Sequence, residues 1–269
     1  GSSNVALGRS ALEANTTAAN NTAVGRSALE ANTTGAGNTV VGKDAAIANT
    51  TAANNTIVGF EAFGTNTTGH SNVAIGKATM YGNTTGDANT AAGYAALSGN
   101  TTADNNTAFG AYALQVNTTG ANNVAIGSLT LDAATTATGN TAVGQGSMST
   151  TTTGAANVAM GLSSLYSNTT GANNTALGYS SLFANTTGGN NIAVGFNTLK
   201  ANTGSYSNVA VGVRALAAFN VTSATSTYNV AVGEDAGALM TTGVQNTLIG
   251  GLAGDAMTTA GGNVGVGYK

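Results

Sequence analysis

Polar and apolar positions repeat along this chain with a period of 17 residues. An Asn followed four residues later by a Gly begins at Asn4 and recurs every 17 residues as far as Asn208. After one step of 21 residues the pattern resumes at Asn229 and continues to the end of the chain. Sixteen copies of one unit, with no linker between them, predict a repeat protein in which each unit stacks on the next.

We number the unit from this Asn as slot 1. The copy that begins at Asn21 reads Asn-Thr-Ala-Val-Gly-Arg-Ser-Ala-Leu-Glu-Ala-Asn-Thr-Thr-Gly-Ala-Gly, and slots 1 and 5 are Asn and Gly in every copy. Thr, Val and Ala at slots 2 to 4 favour a strand, and Asn-Thr-Thr-Gly at slots 12 to 15 favours a turn. Each unit is therefore expected to form one coil of two short strands and two corners. We expect the slot-1 Asn amides to bond to the copies above and below as a ladder, and the slot-5 Gly to form a corner that needs a positive φ or a close backbone approach.

The predicted fold class is all-β, a parallel β-solenoid (β-roll) of about sixteen 17-residue coils. A helical-repeat solenoid is the competing interpretation, but a 17-residue unit that contains Gly and a Thr pair leaves no room for two helices. Coils stacked about 4.8 Å apart would form a rod of roughly 75 Å. We interpret residues 1–269 as one repeat array, with regular coils at 4–220, a loop insertion near 221–228 and variant coils at 229–269.

The apolar pattern of the strand also predicts an interface between chains. Slot 4 is large and apolar in all copies but the one with Ala92, so we expect it in the core, with slot 3 on the opposite face. Slot 3 is nevertheless Ala in twelve copies, and strands that are apolar on both faces are covered on both. We therefore expect lateral association of identical chains as a trimer, through the slot-3 residues Ala23, Ala74, Ala91, Ala108, Ala125, Ala142, Ala159 and Ala176.

Composition narrows the possible partners. Charged residues make up 6% of the chain, and a net charge of −3 with seven scattered basic residues gives no electrostatic footprint for nucleic acid. The longest apolar stretch, residues 209–219, is interrupted by Arg214 and is too short to insert into a membrane. The absence of Cys excludes disulfides and thiolate metal sites.

Two motifs of the unit resemble known families. The alternation of Asn-Thr-Ala-Val-Gly with Asn-Thr-Thr-Gly, as in residues 174–188, resembles the tandem repeats of phage tail-fibre-type proteins and their bacterial relatives. More loosely, Asn-Val-Ala-Ile-Gly at residues 123–127 is similar to the core motif of trimeric autotransporter adhesin heads, which are β-rolls. The resemblance implies a trimeric fibre, located outside the cell or on a virion surface, that displays or binds at a surface.

Nine copies carry Asn-Thr-Thr at slots 12 to 14, which is a formal acceptor sequence for N-glycosylation. The candidate sites are Asn15, Asn32, Asn49, Asn66, Asn83, Asn100, Asn117, Asn168 and Asn185. The alternative is that Asn suits a corner and that the Thr pairs stack as ladders, because the Thr pair persists where Asn is replaced, as at Ala134 and Thr151. The Thr ladders also raise the hypothesis of an ice-binding face, although two adjacent Thr cannot share one plane.

Catalytic chemistry has little support in the sequence. His70 is the only histidine, and the ten carboxylates occupy different slots, so that no acid pair or calcium ladder recurs. Arg9, Arg26, Lys43 and Lys77 share slot 6 and could form a basic row, while aromatic residues occupy slot 6 elsewhere and could contact glycans or a neighbouring chain. We expect no enzyme activity and no cofactor.

Neither end of the array carries a polar cap of the kind that protects solenoid ends. We therefore expect a fragment of a longer fibre or end-to-end stacking into a filament. The predicted function is a structural fibre or filament shaft, as in a phage-type tail fibre or an extracellular adhesin. An ice-binding solenoid and a rod that contacts or bears carbohydrate are the alternatives.

Overall fold

The computed structural model describes residues Gly1 to Lys269 and confirms the predicted all-β parallel solenoid. It contains sixteen strands of three residues each and no helix. In chain order the strands are β1 (Val5–Leu7), β2 (Thr22–Val24), β3 (Thr39–Val41), β4 (Thr56–Val58), β5 (Val73–Ile75), β6 (Thr90–Ala92), β7 (Thr107–Phe109), β8 (Val124–Ile126), β9 (Thr141–Val143), β10 (Val158–Met160), β11 (Thr175–Leu177), β12 (Ile192–Val194), β13 (Val209–Val211), β14 (Val230–Val232), β15 (Thr247–Ile249) and β16 (Val264–Val266). Each strand occupies slots 2 to 4 of its 17-residue repeat.

The chain divides into two compact units of eight strands each, and from here on a single 17-residue repeat is called a coil. The first unit is Gly1–Ala137 with strands β1 to β8, and the second is Thr138–Lys269 with strands β9 to β16. Within each unit, successive strands pair in parallel and in register, slot for slot. Ala23 of β2 lies opposite Val40 of β3, and Ala159 of β10 lies opposite Ala176 of β11. In-register parallel pairing places each side chain above its counterpart, so every slot of the repeat becomes a column.

Backbone hydrogen bonds also join neighbouring coils outside the strands. The N–H of Leu97 donates to the carbonyl of Ala113 at 2.9 Å, and the N–H of Thr101 donates to the carbonyl of Thr118 at 3.1 Å. The predicted second strand is wrong, because slots 6 to 11 form turns. Slots 7 and 9 adopt left-handed backbone conformations, with φ of 52° at both Ala95 and Leu97, which interrupts any extended segment.

The slot-5 glycines turn the chain immediately after each strand. Gly110 has a φ of 130°, and a Cβ atom added there would lie 2.4 Å from the carbonyl oxygen of Gly127 in the next coil. Both the backbone conformation and the close approach of the next coil therefore require Gly. The expectation that slot 5 combines a corner with a positive φ is confirmed.

The interior of each coil is one layer of side chains thick. Ala91 at slot 3 and Leu97 at slot 9 are both fully buried, and so is the small side chain of Ala96 at slot 8. Asn residues at slots 1 and 12 are buried as well, for example Asn89 and Asn100. The core is therefore a column of Ala and Leu with a column of Asn at slot 1 and another at slot 12.

In two coils, slots 3 and 9 compensate each other in size. The third coil carries Val40 and Ala46 in place of the usual Ala and Leu, and both residues are buried. A Cβ atom added at Gly254, a slot-9 position, would lie 2.9 Å from Cδ2 of Leu248 at slot 3 of the same coil. A larger residue at slot 3 thus fills the space that a smaller slot-9 residue leaves, as close packing requires.

Asn at slot 1 forms the ladder that the sequence predicted. The backbone N–H of Asn106 donates to Oδ1 of Asn89 at 2.9 Å. Nδ2 of Asn106 donates to the carbonyl of Gly120 at 2.9 Å. Each slot-1 amide therefore satisfies a backbone donor of a neighbouring coil and a corner carbonyl, which is what a buried amide needs.

The 21-residue step between Asn208 and Asn229 leaves the strand register intact, since Val209 of β13 pairs with Val230 of β14. Residues 222–226 are all exposed, and Tyr206 forms an isolated parallel bridge with Ser226. The additional residues are therefore accommodated outside the coil.

Candidate functional surfaces

The slot-3 alanines lie inside the coil, so the prediction that they form an interface between chains is wrong. All eight are fully buried by their own chain: Ala23, Ala74, Ala91, Ala108, Ala125, Ala142, Ala159 and Ala176. The alternation along the strand was predicted correctly, but its direction was reversed. In most coils the one large buried residue of these two slots is at slot 9 and Ala faces inward at slot 3; only the fourth coil buries large residues at both, Ile57 and Phe63.

Slots 2 and 4 consequently face outward, and the prediction that slot 4 forms the core is wrong as well. Val41, Ile75 and Phe109 at slot 4 are 38%, 45% and 42% exposed in the chain. Slot 2 alternates irregularly between Thr and Val or Ile, and Ile192 is also exposed. We call the outward side chains of slots 2 and 4 the sheet face of each unit.

The slot-12 asparagines are core residues, and the structure leaves no space for a glycan on eight of the nine candidates. Asn32, Asn49, Asn66, Asn83, Asn100, Asn117, Asn168 and Asn185 are all buried. Their Nδ2 atoms, to which a sugar would be attached, are used as donors: Nδ2 of Asn83 binds Oδ1 of Asn66 at 2.9 Å and the carbonyl of Gly86 at 3.1 Å. Asn15 is half-buried, and its Nδ2 donates to the carbonyl of Ala18 at 3.3 Å.

The corner interpretation of the Asn-Thr-Thr sequence is the one that the structure supports. Slot 12 also holds the fully buried Phe219 and Met240, as an interior position can. The slot-13 hydroxyl of Thr101 donates to the carbonyl of Thr118 at 3.0 Å, whereas the slot-14 residue Thr102 is exposed. The two Thr columns therefore differ: the hydroxyls of slot 13 join coils, and those of slot 14 face solvent.

All four Lys and Arg residues of the first unit lie in the slot-6 column. Nζ of Lys43 lies 5.1 Å from the ring centroid of Phe60, and Nζ of Lys77 lies 5.7 Å from the same centroid. Nη2 of Arg26 forms an ion pair with Asp44 at 3.0 Å. The predicted row of cations exists, but Arg26, Lys43 and Lys77 are held by neighbouring rings and by a carboxylate.

Aromatic residues of neighbouring coils also pack on each other. The rings of Tyr179 and Phe196 stack at slot 6 with centroids 5.5 Å apart, while Tyr94 meets Tyr112 edge to face at 5.1 Å. Burial is the main cause that raises the pKa of Tyr112 above its usual value, and the neighbouring Tyr94 raises it further. These contacts lie within one chain, so the aromatic rings already have partners there.

In the second unit, one exposed ion pair shifts the pKa values of its two partners, Arg214 and Asp235. Nε of Arg214 donates to Oδ1 of Asp235 at 2.7 Å. This hydrogen bond is the main reason why the pKa of Asp235 is lowered and the pKa of Arg214 is raised. Because both side chains are on the surface, the pair is expected to contribute little to stability.

The structure does not assemble the polar residues into a constellation typical of catalysis. His70 is exposed, and its Nε2 lies 3.6 Å from Oδ2 of Asp87. No group of three or more His, Asp or Glu side chains is placed to hold a metal ion. A shallow depression brings Glu13 and Glu30 together with Ile47.

The chain contains no helix that could cross a membrane. No protein family, curated protein or solved structure that we compared with this chain matches it.

Proposed function

We propose that this chain is a structural building element, a segment of the shaft of an extracellular or virion-surface fibre or filament. The observation that carries the proposal is the identity of contacts from coil to coil. The Asn ladder at slot 1, the corner ladder at slot 13 and the small-to-large packing of slots 3 and 9 recur along each unit. Adding or removing coils would change the length of such an element without changing its chemistry.

The distribution of polar groups supports a structural role over an enzymatic one. Buried amides such as Asn83 and Asn106 are hydrogen-bonded within the ladders. An enzyme site instead gathers titratable groups with perturbed pKa values in a cleft. The raised pKa of Arg214 and the lowered pKa of Asp235 come from their exposed ion pair, which explains them without catalysis.

Resemblance to phage tail-fibre repeats and to adhesin heads supports the location in a fibre. The repeated Asn-Thr-Ala-Val-Gly and Asn-Thr-Thr-Gly motifs carry this part of the proposal, as at residues 174–188. A shaft of this kind would hold a binding or anchoring domain away from the surface on which it is mounted. The corner hydroxyls that face solvent at slot 14 would keep its outer edge hydrated.

Immunogold electron microscopy tests this proposal. Antibodies raised against the chain would be applied to intact source cells and to the particles they release, with pre-immune serum as the control. We expect gold along filaments or fibres at the outer surface. Gold confined to the cell interior, with bare surface filaments, would contradict the proposal.

A further inference from the structure

The slot-4 row of each sheet face is apolar and exposed at once. Val58, Ile75 and Phe109 at slot 4 are between 38% and 45% exposed, and Met160 and Ile249 in the second unit are similar. Val58 lies beside Ile75, and Phe109 lies beside Ile126, because neighbouring strands pair in register. Slot 4 therefore forms a row of large apolar side chains along each eight-stranded sheet, interrupted in the first unit by the small Ala92.

No charged residue occupies slot 2 or slot 4 of any strand. The slot-6 column, only two positions from slot 4 in sequence, carries Arg26, Lys43 and Lys77. Charge is thus tolerated beside the sheet face but absent from it. Parallel strands with apolar residues on both faces are typical of sheets that are covered on both faces.

The size of the sheet face fits a specific protein interface. Three-residue strands are about 10 Å long, and eight of them spaced about 4.8 Å apart present about 380 Å² per unit. If each unit of one copy covers one unit of the other, a copy buries about 760 Å², close to the roughly 800 Å² that each partner buries in a standard interface. Exposed apolar patches of more than a few hundred Å² are uncommon on monomers.

A second copy of this chain matches the face best. Its own sheet presents side-chain rows at the same spacing of about 4.8 Å, so contacts made by one coil would repeat at the next. The row is also uneven, since the small Ala92 adjoins the large Phe109 and leaves a recess beside a projection. Two sheets pack face to face at about 10 Å, which buries each of them against one partner only.

We propose that two copies of the chain pair through their sheet faces, slots 2 and 4 of one copy against slots 2 and 4 of the other. The pairing is isologous, because the same surface serves both copies. It rests on the proposed function in that it names how shaft segments associate laterally. It also replaces the expected trimer, whose predicted interface at slot 3 lies inside the coil.

Light scattering on the isolated chain tests the pairing. The disrupting variant carries Val58→Lys, Ile75→Lys and Phe109→Lys on the sheet face of three coils. The matched control carries Thr68→Lys, Thr85→Lys and Thr119→Lys, which adds the same charge to the exposed slot-14 column of the same three coils. A milder variant with Thr at the three slot-4 positions uses a residue that the outward slot 2 already accepts.

We expect the parent and the control to have twice the 25.9 kDa chain mass and the Lys variant to have the single mass. Buried like charges should raise the dimer dissociation constant at least about 100-fold, and the Thr variant should raise it less. A parent that is monomeric or trimeric overturns the proposal, as does a Lys variant that keeps the parent's mass. Loss of pairing in the control would also overturn it. Because the assay uses isolated chains, its failure leaves the immunogold result on surface filaments independent.

Discussion

At the residue scale, Asn and Gly have separate and specific tasks in the coil. A short amide such as Asn106 donates and accepts along the column while its backbone joins the strand. Gly110 has no side chain, and this allows both its φ of 130° and the approach of the Gly127 carbonyl. These demands explain why slots 1 and 5 do not vary, whereas outward slots such as slot 6 vary widely.

Replacing Gly110 tests the corner. In Gly110→Val, the new Cβ would meet the Gly127 carbonyl oxygen at 2.4 Å, in a backbone conformation that L-residues rarely adopt. We expect the free energy of unfolding to fall by about 3 kcal/mol or more. Gly139→Asn is the control, because Gly139 has no atom within 4 Å of an added Cβ and Asn122 adopts a similar φ one coil earlier. Equal urea midpoints for the two variants would contradict this account of the corner.

At the element scale, the columns determine which side chains can be buried. Nδ2 of Asn117 donates to Oδ1 of Asn100 at 3.0 Å, which continues the slot-12 ladder. The next slot-12 residue is Ala134, which has no donor in its side chain, and Oδ1 of Asn117 is buried without a hydrogen-bond partner. The ladder is interrupted at this point because Ala134 has no side-chain amide.

Ala134→Asn should extend the ladder. The new Nδ2 would donate to Oδ1 of Asn117, as Asn117 does to Asn100, and satisfy a buried acceptor. We expect a gain of about 1 kcal/mol in the free energy of unfolding, measured by urea denaturation. Ala133→Asn, at the adjacent half-buried slot 11, introduces the same residue outside the ladder and should bring no such gain. A variant no more stable than its parent would show that the unpaired oxygen costs nothing.

The sequence predicted the coil, its period, the slot-1 ladder and the slot-5 corner, because each depends on residue types that repeat without exception. It did not predict which face of the strand is inside. Alternation places slots 2 and 4 on one face of the strand and slot 3 on the other, but it does not say which face is inside the coil. The assumption that large apolar residues face inward failed because the interior is only one layer thick.

A signal for the correct direction was present in the sequence. Val40 occurs with Ala46, and Leu248 occurs with Gly254, so in these two coils slots 3 and 9 exchange size. Residues that compensate in volume share a core. The burial of the slot-12 asparagines could have been inferred in the same way, since slot 12 also accepts Phe219 and Met240. The left-handed turns at slots 7 and 9 had no such signal, because Ala95 and Leu97 do not favour a positive φ.

At the scale of the whole molecule, charged residues occupy several columns but are absent from the sheet face. The four cations of the first unit occupy slot 6, and a column of exposed Thr residues occupies slot 14. One repeated coil thus provides a hydrated corner, a charged edge and an apolar face. A shaft segment that joins its neighbours through one face needs that face to be free of charge. The orientation of the strand decides which side chains form this face.

Cysteine labelling tests this orientation most directly, because the chain has no native Cys. The variants are Ala74→Cys at slot 3, Ile75→Cys at slot 4 and Thr85→Cys at slot 14. Slot 3 accepts Val40 and Ile57 in other coils, so Cys should fit at position 74. The reaction with a thiol reagent would be followed in the folded and the urea-unfolded protein.

We predict that Cys at position 74 reacts only after unfolding, that Cys at position 85 reacts at every protein concentration, and that Cys at position 75 reacts faster on dilution as paired chains separate. Rapid labelling of the folded chain at position 74, with position 75 protected at every dilution until unfolding, would contradict the account.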